Sequence, residues 1–449
     1  MADLKTDSIG KLIWCFTIPS LVGTLANTLY NIIDRIFIGQ GVGALALSGL
    51  GLTFPIMNIL TAFSMLVSMG AASVTSIKLG QDNGSLRRIM PNILFLITLC
   101  YIATTIITLL FLEPILMAFG GSKATVPYAI EYLRIVIPGH LFISLSWGLS
   151  NVIRAVGKPN LAMGTLVIGA VTNIILDPLF IFVLDMGIRG AAIATVISMA
   201  LSTIWAIVFF FRTTTPLAFT KSEYKLDIGI IARILSIGMS PFLLQLCNSM
   251  VNIMMNTSLQ RYGGDLAIGA FGIITSYTTL ITMAIVGLAH GMQPILGYNY
   301  GARQFDRVRE TLRKGITFGS LISIAGWLGA ILVPRTIALC FNDKNEILIG
   351  MTANGMRLYC IMLGLVGFHV IVTNFYQSIG KAHLSIVLTL ARQVVFLIPC
   401  ILILPHFHPQ GMSELNMLWL AQPVATLLSC VMAFVLLKKV PGLDKSSLN

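Results

Sequence analysis

The sequence reads as an all-α integral membrane protein, with twelve transmembrane helices arranged as two pseudo-symmetric lobes of six. The first observation behind that reading is composition. Of 449 residues 56% are hydrophobic and only 10% are charged, giving a mean hydropathy of +0.89. The second is that the apolar residues fall in about twelve continuous runs, each close to the roughly 20 residues a helix needs to cross the hydrocarbon core. Continuous rather than alternating runs favour helices over a barrel, because every backbone polar group must be satisfied within the bilayer. The third is a self-match of the chain, described below.

The spans lie near 12–38, 46–74, 89–112, 128–153, 160–184, 188–211, 229–260, 266–297, 315–334, 351–379, 384–405 and 416–437. The first eleven residues are polar and mixed in charge. The run after them is too long for a signal-peptide core and has no small-residue cleavage site, so it is a retained first helix. That run contains Pro19 and, near its end, Asp34. The fifth contains Asn173, Asp177 and Pro178, and the sixth Thr195. The polar stretch RTTTPLAFTKSEYKLD after the sixth run divides the chain into an N-terminal lobe (1–211), a linker (212–228) and a C-terminal lobe (229–449).

A net charge of +12 would suit a nucleic-acid surface, but about twenty of the 29 Lys and Arg crowd the termini and every second loop. Such alternation is the positive-inside pattern of a multi-pass protein of the plasma (inner) membrane. It places both termini in the cytoplasm and excludes nucleic acid as a partner. Of the Lys and Arg, Arg392 lies farthest from the ends of its span. The seven cysteines sit singly in or beside apolar runs, with no CxxC spacing and no His partners, as packing residues do.

Shifting the chain by 221 residues superimposes Asn27 and Asn31 on Asn248 and Asn252, and Gly43, Gly51, Gly70 and Gly80 on Gly264, Gly272, Gly291 and Gly301. Farther along, SNVIRAVGKPN and TNFYQSIGKAH pair Asn151 with Asn374 and Gly157 with Gly380. Six helices is an even number, so the halves are parallel repeats, an arrangement in which transporters bind substrate between lobes that rock about the site. The match breaks at two acids. Asp34 falls on Met255, and the counterpart of the Asp177 region, VVFLIPCILIL, has no acid. An ionised side chain at membrane depth costs at least roughly 2.5 to 3.5 kcal/mol, so such acids face a partner or a wet cavity. An acid kept in one lobe only points to coupling rather than scaffold.

Depth places Asp34, Asp177 and Thr195 together: each lies one to two turns from the outer end of its run, about 1.5 Å per residue along the helix. Asn173 precedes Asp177 by four residues and shares its face. Pro178 cannot donate to the carbonyl of Ile174. Carboxylate, amide, hydroxyl and carbonyl oxygens suit Na+, and protonation of the acids neutralises the same site.

These residues resemble the multidrug and toxic compound extrusion (MATE) transporters, and the likeness runs across all twelve spans. It is carried by Pro19 in FTIPSLVGTLANT, Asp34 in NIIDRIFIG, Asn173 and Asp177 in TNIILDPLFIF, and Thr195 in GIRGAAIATVIS. The resemblance implies a V-shaped pair of six-helix lobes that exports cationic or amphipathic drugs in exchange for inward H+ or Na+, with no other cofactor. In the bacterial branch related to DNA-damage-inducible proteins, Asp34, Asn173, Asp177 and Thr195 would form the ion site, and Pro19 the bending point of helix one. Another branch carries acids in helices seven and ten. Here those helices offer Asn248, Asn252 and Gln377 instead.

A soft, adaptable cavity wall is expected from the 21 methionines, with Asn27, Asn31, Met57, Met255, Tyr277, Met283 and Gln293 as candidate lining. His140, His290 and His369 lie singly in or near spans, and His406 and His408 in a solvated loop. The chain is expected to work as a monomer in the lipid bilayer, on small lipophilic or cationic drugs. A lipid or oligosaccharide flippase is the alternative, and would want arginines in its cavity. No HExxH or GxSxG motif marks an enzyme, and nothing resembles a channel's selectivity loop.

Overall fold

The computed structural model describes residues 3–42, 44–81, 85–119, 125–212, 226–341, 345–407 and 412–438; for residues 31, 35, 39, 44–48, 85 and 87 it describes the backbone alone. The linker expected at 212–228 falls mostly on 213–225, which, like His408, lies outside the described residues. All regular structure among the described residues is helical.

Among the described residues ten helices are long and apolar enough to cross a membrane. One of them, Ile228–Gly301, has 74 residues and would measure about 110 Å if straight, far more than a bilayer core. It is two spans, because Gly264 at φ 66° and ψ −163° breaks it, a backbone geometry open essentially to glycine. A further span is a pair, Glu346–Tyr359 and Leu363–Ser378, bent by 46°. Ten plus one plus one gives the expected twelve: α1 (Ile9–Gly41), α2 (Ala44–Gln81), α3 (Ile89–Leu110), α4 (Val126–Ala155), α5 (Pro159–Val183), α6 (Gly187–Arg212), α7 (228–263), α8 (265–301), α9 (Phe305–Leu332), α10 (the bent pair), α11 (Ala382–His406) and α12 (Glu414–Leu437). The internal repeat is visible in backbone angles too. Gly157 and Gly380, matched in sequence, end α4 and α10 with φ of 86° and 77°.

The two halves exchange the starts of their leading helices. Ile9, Ile13 and Phe16 of α1 are buried in the core built by α8 to α12. Their repeat counterparts Ile230, Ile234 and Ile237 of α7 are buried in the core built by α2 to α6. At the same basic-loop end the halves approach backbone to backbone. A Cβ on Gly80 would collide with the carbonyl of Tyr298, and one on Gly301 with the carbonyl of Ile77, a contact pair that the repeat maps onto itself. Gln293, 1% exposed, seals the same seam by donating to Ser73 Oγ at 2.8 Å. Away from this seam the halves enclose a cavity of about 810 Å³.

Candidate functional site

α1, α4, α5 and α6 bring the sequence-predicted acids into one cluster. Asp177 is fully buried and Asp34 is 7% exposed. Asp34 is the charged neighbour of Asp177, within hydrogen-bonding reach. One turn earlier on α5, buried Asn173 donates from Nδ2 to Asp177 Oδ1 at 3.1 Å. Asp177 Oδ2 and Asn173 Oδ1 have no hydrogen-bond partner among the described residues, and a buried acceptor left so costs about 1 to 3 kcal/mol. Directly after Pro178 the helix loosens into a π-turn, Leu179–Val183. That follows from the donor proline lacks. Thr195, 7% exposed on α6, lies beside the hydroxyl of Tyr132 of α4, which is in the field of both acids.

Tyr132 was not among the predicted residues. It enters the fourth span near its outer end, where tyrosine is ordinary at a membrane interface, so residue type carries no signal there. The donor set is two carboxylates, an amide oxygen and two hydroxyls. These hard oxygens fit Na+ or a proton. Among the described residues no group of three or more His, Cys, Asp and Glu forms a transition-metal site.

Neither acid is among the described residues that line the cavity. Asn27, Met255 and Met283 line it, with Met283 Sδ 3.2 Å from Thr28 Oγ1. Met57 is packed in the outer core of the first half, and Tyr277 points away, donating to the carbonyl of Gly326 at 2.6 Å. Neither is among the lining residues, nor is Gln293 in its seam. The side chain of Asn31 lies outside the described residues. α1 runs unbroken through Pro19. Ser20, Thr24 and Thr28 donate back to the carbonyls of Phe16, Ser20 and Thr24, a pattern that bends helices. Together with the proline's missing donor it makes this stretch the deformable part of α1.

Two arginines also line the cavity, Arg392 of α11 and Arg154 of α4. Arg154 looks from sequence like one more basic-loop residue, being three positions before Gly157, yet it is 6% exposed and turned inward. His290 lines the cavity beside it. His140 is taken up by Ser64 at 3.1 Å.

The sequence pattern of the MatE family matches the chain twice, over residues 19–179 and 239–402, once in each half. The chain belongs to the MatE family. Over 449 residues it is 26% identical to the multidrug export protein MepA of Staphylococcus haemolyticus (strain JCSC1435), covering 99% of this chain and 97% of that protein. MepA of Staphylococcus aureus (strain MSSA476) is 24% identical over 395 residues, 88% of this chain and 87% of its own. Among solved structures, a ligand complex of the MATE multidrug transporter DinF-BH is 34% identical with a TM-score of 0.89, covering 98% of this chain and 97% of that one. A MATE structure in the bent conformation has a TM-score of 0.92 at 25% identity, with 99% and 98% covered. The twelve-helix, two-lobe architecture of this MatE chain is therefore that of a transporter family.

Proposed function

We propose that this MatE protein is a secondary active transporter that exports cationic or amphipathic compounds in exchange for inward H+ or Na+, taken up at Asp34, Asp177, Asn173 and Thr195, with Tyr132 completing the cluster. It sits in the plasma (inner) membrane as a monomer, with both termini and the basic loops cytoplasmic. The observation that supports this most is the pair of buried neighbouring acids in one half only. Two carboxylates this close are held apart by repulsion unless a cation joins them.

The acids do not line the cavity, so ion and substrate communicate through α1. Asn27 faces the cavity and lies two turns before Asp34 on the same helix. An ion entering from the outside draws α1 toward α5, α1 bends over the Pro19 to Thr28 stretch, and the cavity wall carrying Thr24, Asn27 and Thr28 is rearranged. The substrate is released outward. The seam at Gly80 and Gly301 then opens and the ion leaves to the cytoplasm. What drives the cycle is the ion's differential affinity for the two states. For one proton, about 1.4 kcal/mol per pH unit and about 2.3 kcal/mol per 100 mV are available.

The experiment is efflux of a fluorescent lipophilic cation from proteoliposomes with pH and Na+ gradients imposed separately. Uphill efflux under one gradient is expected and names the ion. If neither gradient moves dye but labelled lipid crosses, the flippase reading replaces this one. That alternative has one observation in its favour, the cavity arginines.

A further inference from the structure

The fixed charges on the cavity wall are of one sign. Among the described lining residues there is no Asp or Glu, while Arg154 and Arg392 are both present with His290. Neither guanidinium is neutralised. Arg392 has no carboxylate and no hydrogen-bond partner among the described residues; Tyr359, Cys430 and His369 lie within its electrostatic reach. Arg154 donates from Nη2 to Asn151 Oδ1, and from Nη1 only at 3.4 Å to Ser20 Oγ, and its Nε has no partner. Arg392 lies ten residues into α11, about 15 Å from the basic-loop end and thus deep in the bilayer. Charges at that depth are costly and mark what the cavity binds. The remaining wall is amide and apolar: Gln393 Nε2 donates to Asn248 Oδ1 at 2.8 Å, and Phe271, Leu397 and Trp147 offer flat or aliphatic surface.

A cation near either arginine is repelled, more strongly in the low-dielectric cavity than in bulk water. An acid group is attracted as strongly, and guanidinium grips two oxygens at once. We propose that the central cavity binds and exports amphiphiles whose head carries an acid group, a carboxylate, sulfonate or phosphate, held by Arg392 and Arg154 with the apolar body against the aromatic and aliphatic wall. The export part rests on the reading above, of whose two substrate classes, cationic and amphipathic, it selects amphiphiles; the binding part stands by itself. Exchange of one inward proton for one outward anion moves two positive charges inward, whereas exchange for a cation moves none.

Three xanthene dyes with a common ring body test the preference: anionic fluorescein, zwitterionic rhodamine B and cationic rhodamine 6G, titrated by anisotropy against the full-length protein in nanodiscs. Fluorescein is expected to bind more tightly than rhodamine 6G. Arg392→Gln should weaken fluorescein about tenfold or more and leave rhodamine 6G unchanged or tighter, with Arg392→Lys in between. Because Arg392 makes no internal hydrogen bond, its variants should melt like the parent; Arg154→Gln is the second, independent variant. Tightest binding of rhodamine 6G, or equal weakening of all three dyes in Arg392→Gln, overturns the proposal. In proteoliposomes an inside-negative potential should speed fluorescein efflux and not that of rhodamine 6G. Tight fluorescein binding with no gradient-driven efflux of any dye would uphold the acid site and sink the export reading. Transbilayer movement of fluorescent phosphatidylglycerol but not phosphatidylcholine in the same vesicles would assign the acid to a lipid headgroup.

Discussion

α1 and α7 are copies of one helix, and they carry opposite chemistry at the same position. Asp34 stands where α7 has Met255, which is 3% exposed and packed in the apolar core. Around Asp34 are Asp177, Asn173, Tyr132 and Thr195; the second half offers, two turns nearer the basic-loop end, a neutral amide pair, Asn248 and Gln393. The shared parts of the two helices are those that hold the halves together, the buried starts and the glycine seam. The divergent parts are those that carry charge. Repetition therefore built the scaffold, and departure from repetition marks where an ion is taken up.

The largest expected effect comes from erasing that difference. Asp34→Asn and Asp177→Asn should each reduce ion-driven efflux in proteoliposomes at least about a hundredfold, a loss of roughly 3 kcal/mol in coupling. Met255→Leu, an exchange of similar volume at the matched position, should cost under about 1.5 kcal/mol of stability and leave what efflux remains driven by the ion gradient. Full transport by both aspartate variants would break the comparison.

The glycines sharpen it from the other side. Gly80→Leu and Gly301→Leu force a side chain against an opposing carbonyl, and overpacking of this kind costs about 1 to 3 kcal/mol, measurable as a lowered melting temperature. Gly51 and Gly272, equally matched by the repeat, have nothing within 4 Å of an added Cβ. There Gly→Ala should be neutral or stabilise by up to about 1 kcal/mol.

A smaller contrast lies at the helix starts. Asp227 caps α7 by accepting from the backbone N–H of Gly229 at 2.9 Å and of Ile230 at 3.2 Å, whereas Ser8 before α1 makes no side-chain cap. Asp227→Ala should cost about 1 kcal/mol and Ser8→Ala close to none, as read by chemical denaturation. In place of a cap, α1 is preceded by a folded acidic turn. The Asp7 carboxyl is held below its ordinary value by the backbone N–H of Asp3 and then by Lys11, and that of Asp3 by the Thr6 hydroxyl and then the Lys5 N–H. Folded values below the ordinary 3.8 mean that this contribution is complete above it and is lost as the pH falls through the lowered values. The amide protection factors of residues 3 to 11, taken relative to the intrinsic exchange rate at each pH, should fall at pH 3 and be unchanged between pH 5 and 7.

The spans, the repeat and the acids were legible because each rests on a strong energetic rule: continuous apolar length, a fixed register shift, and the cost of charge in lipid. The break at Gly264 was legible as the gap between the runs ending near 260 and starting near 266, and the residue itself as a match to Gly43; its left-handed backbone angles were not. What stayed hidden was the direction in which side chains point. A helix apolar all round has no stripe to show which face meets lipid, cavity or neighbour. Tyr277 and Gln293 therefore looked like lining, although one caps a carbonyl of α9 and the other closes the seam. Arg154 failed to stand out for a related reason. Its place near a basic loop already accounted for its charge, and only the fold turns it inward.

Ion binding itself, read without transport, tests the central claim most directly. Proton release or ²²Na+ binding would be measured on the purified protein in nanodiscs, comparing the parent, Asp34→Asn with Asp177→Asn, and Asn248→Ala with Gln393→Ala. The account predicts binding that disappears in the aspartate pair and persists in the amide pair. Undiminished binding in the aspartate pair, or its loss in the amide pair alone, would contradict it.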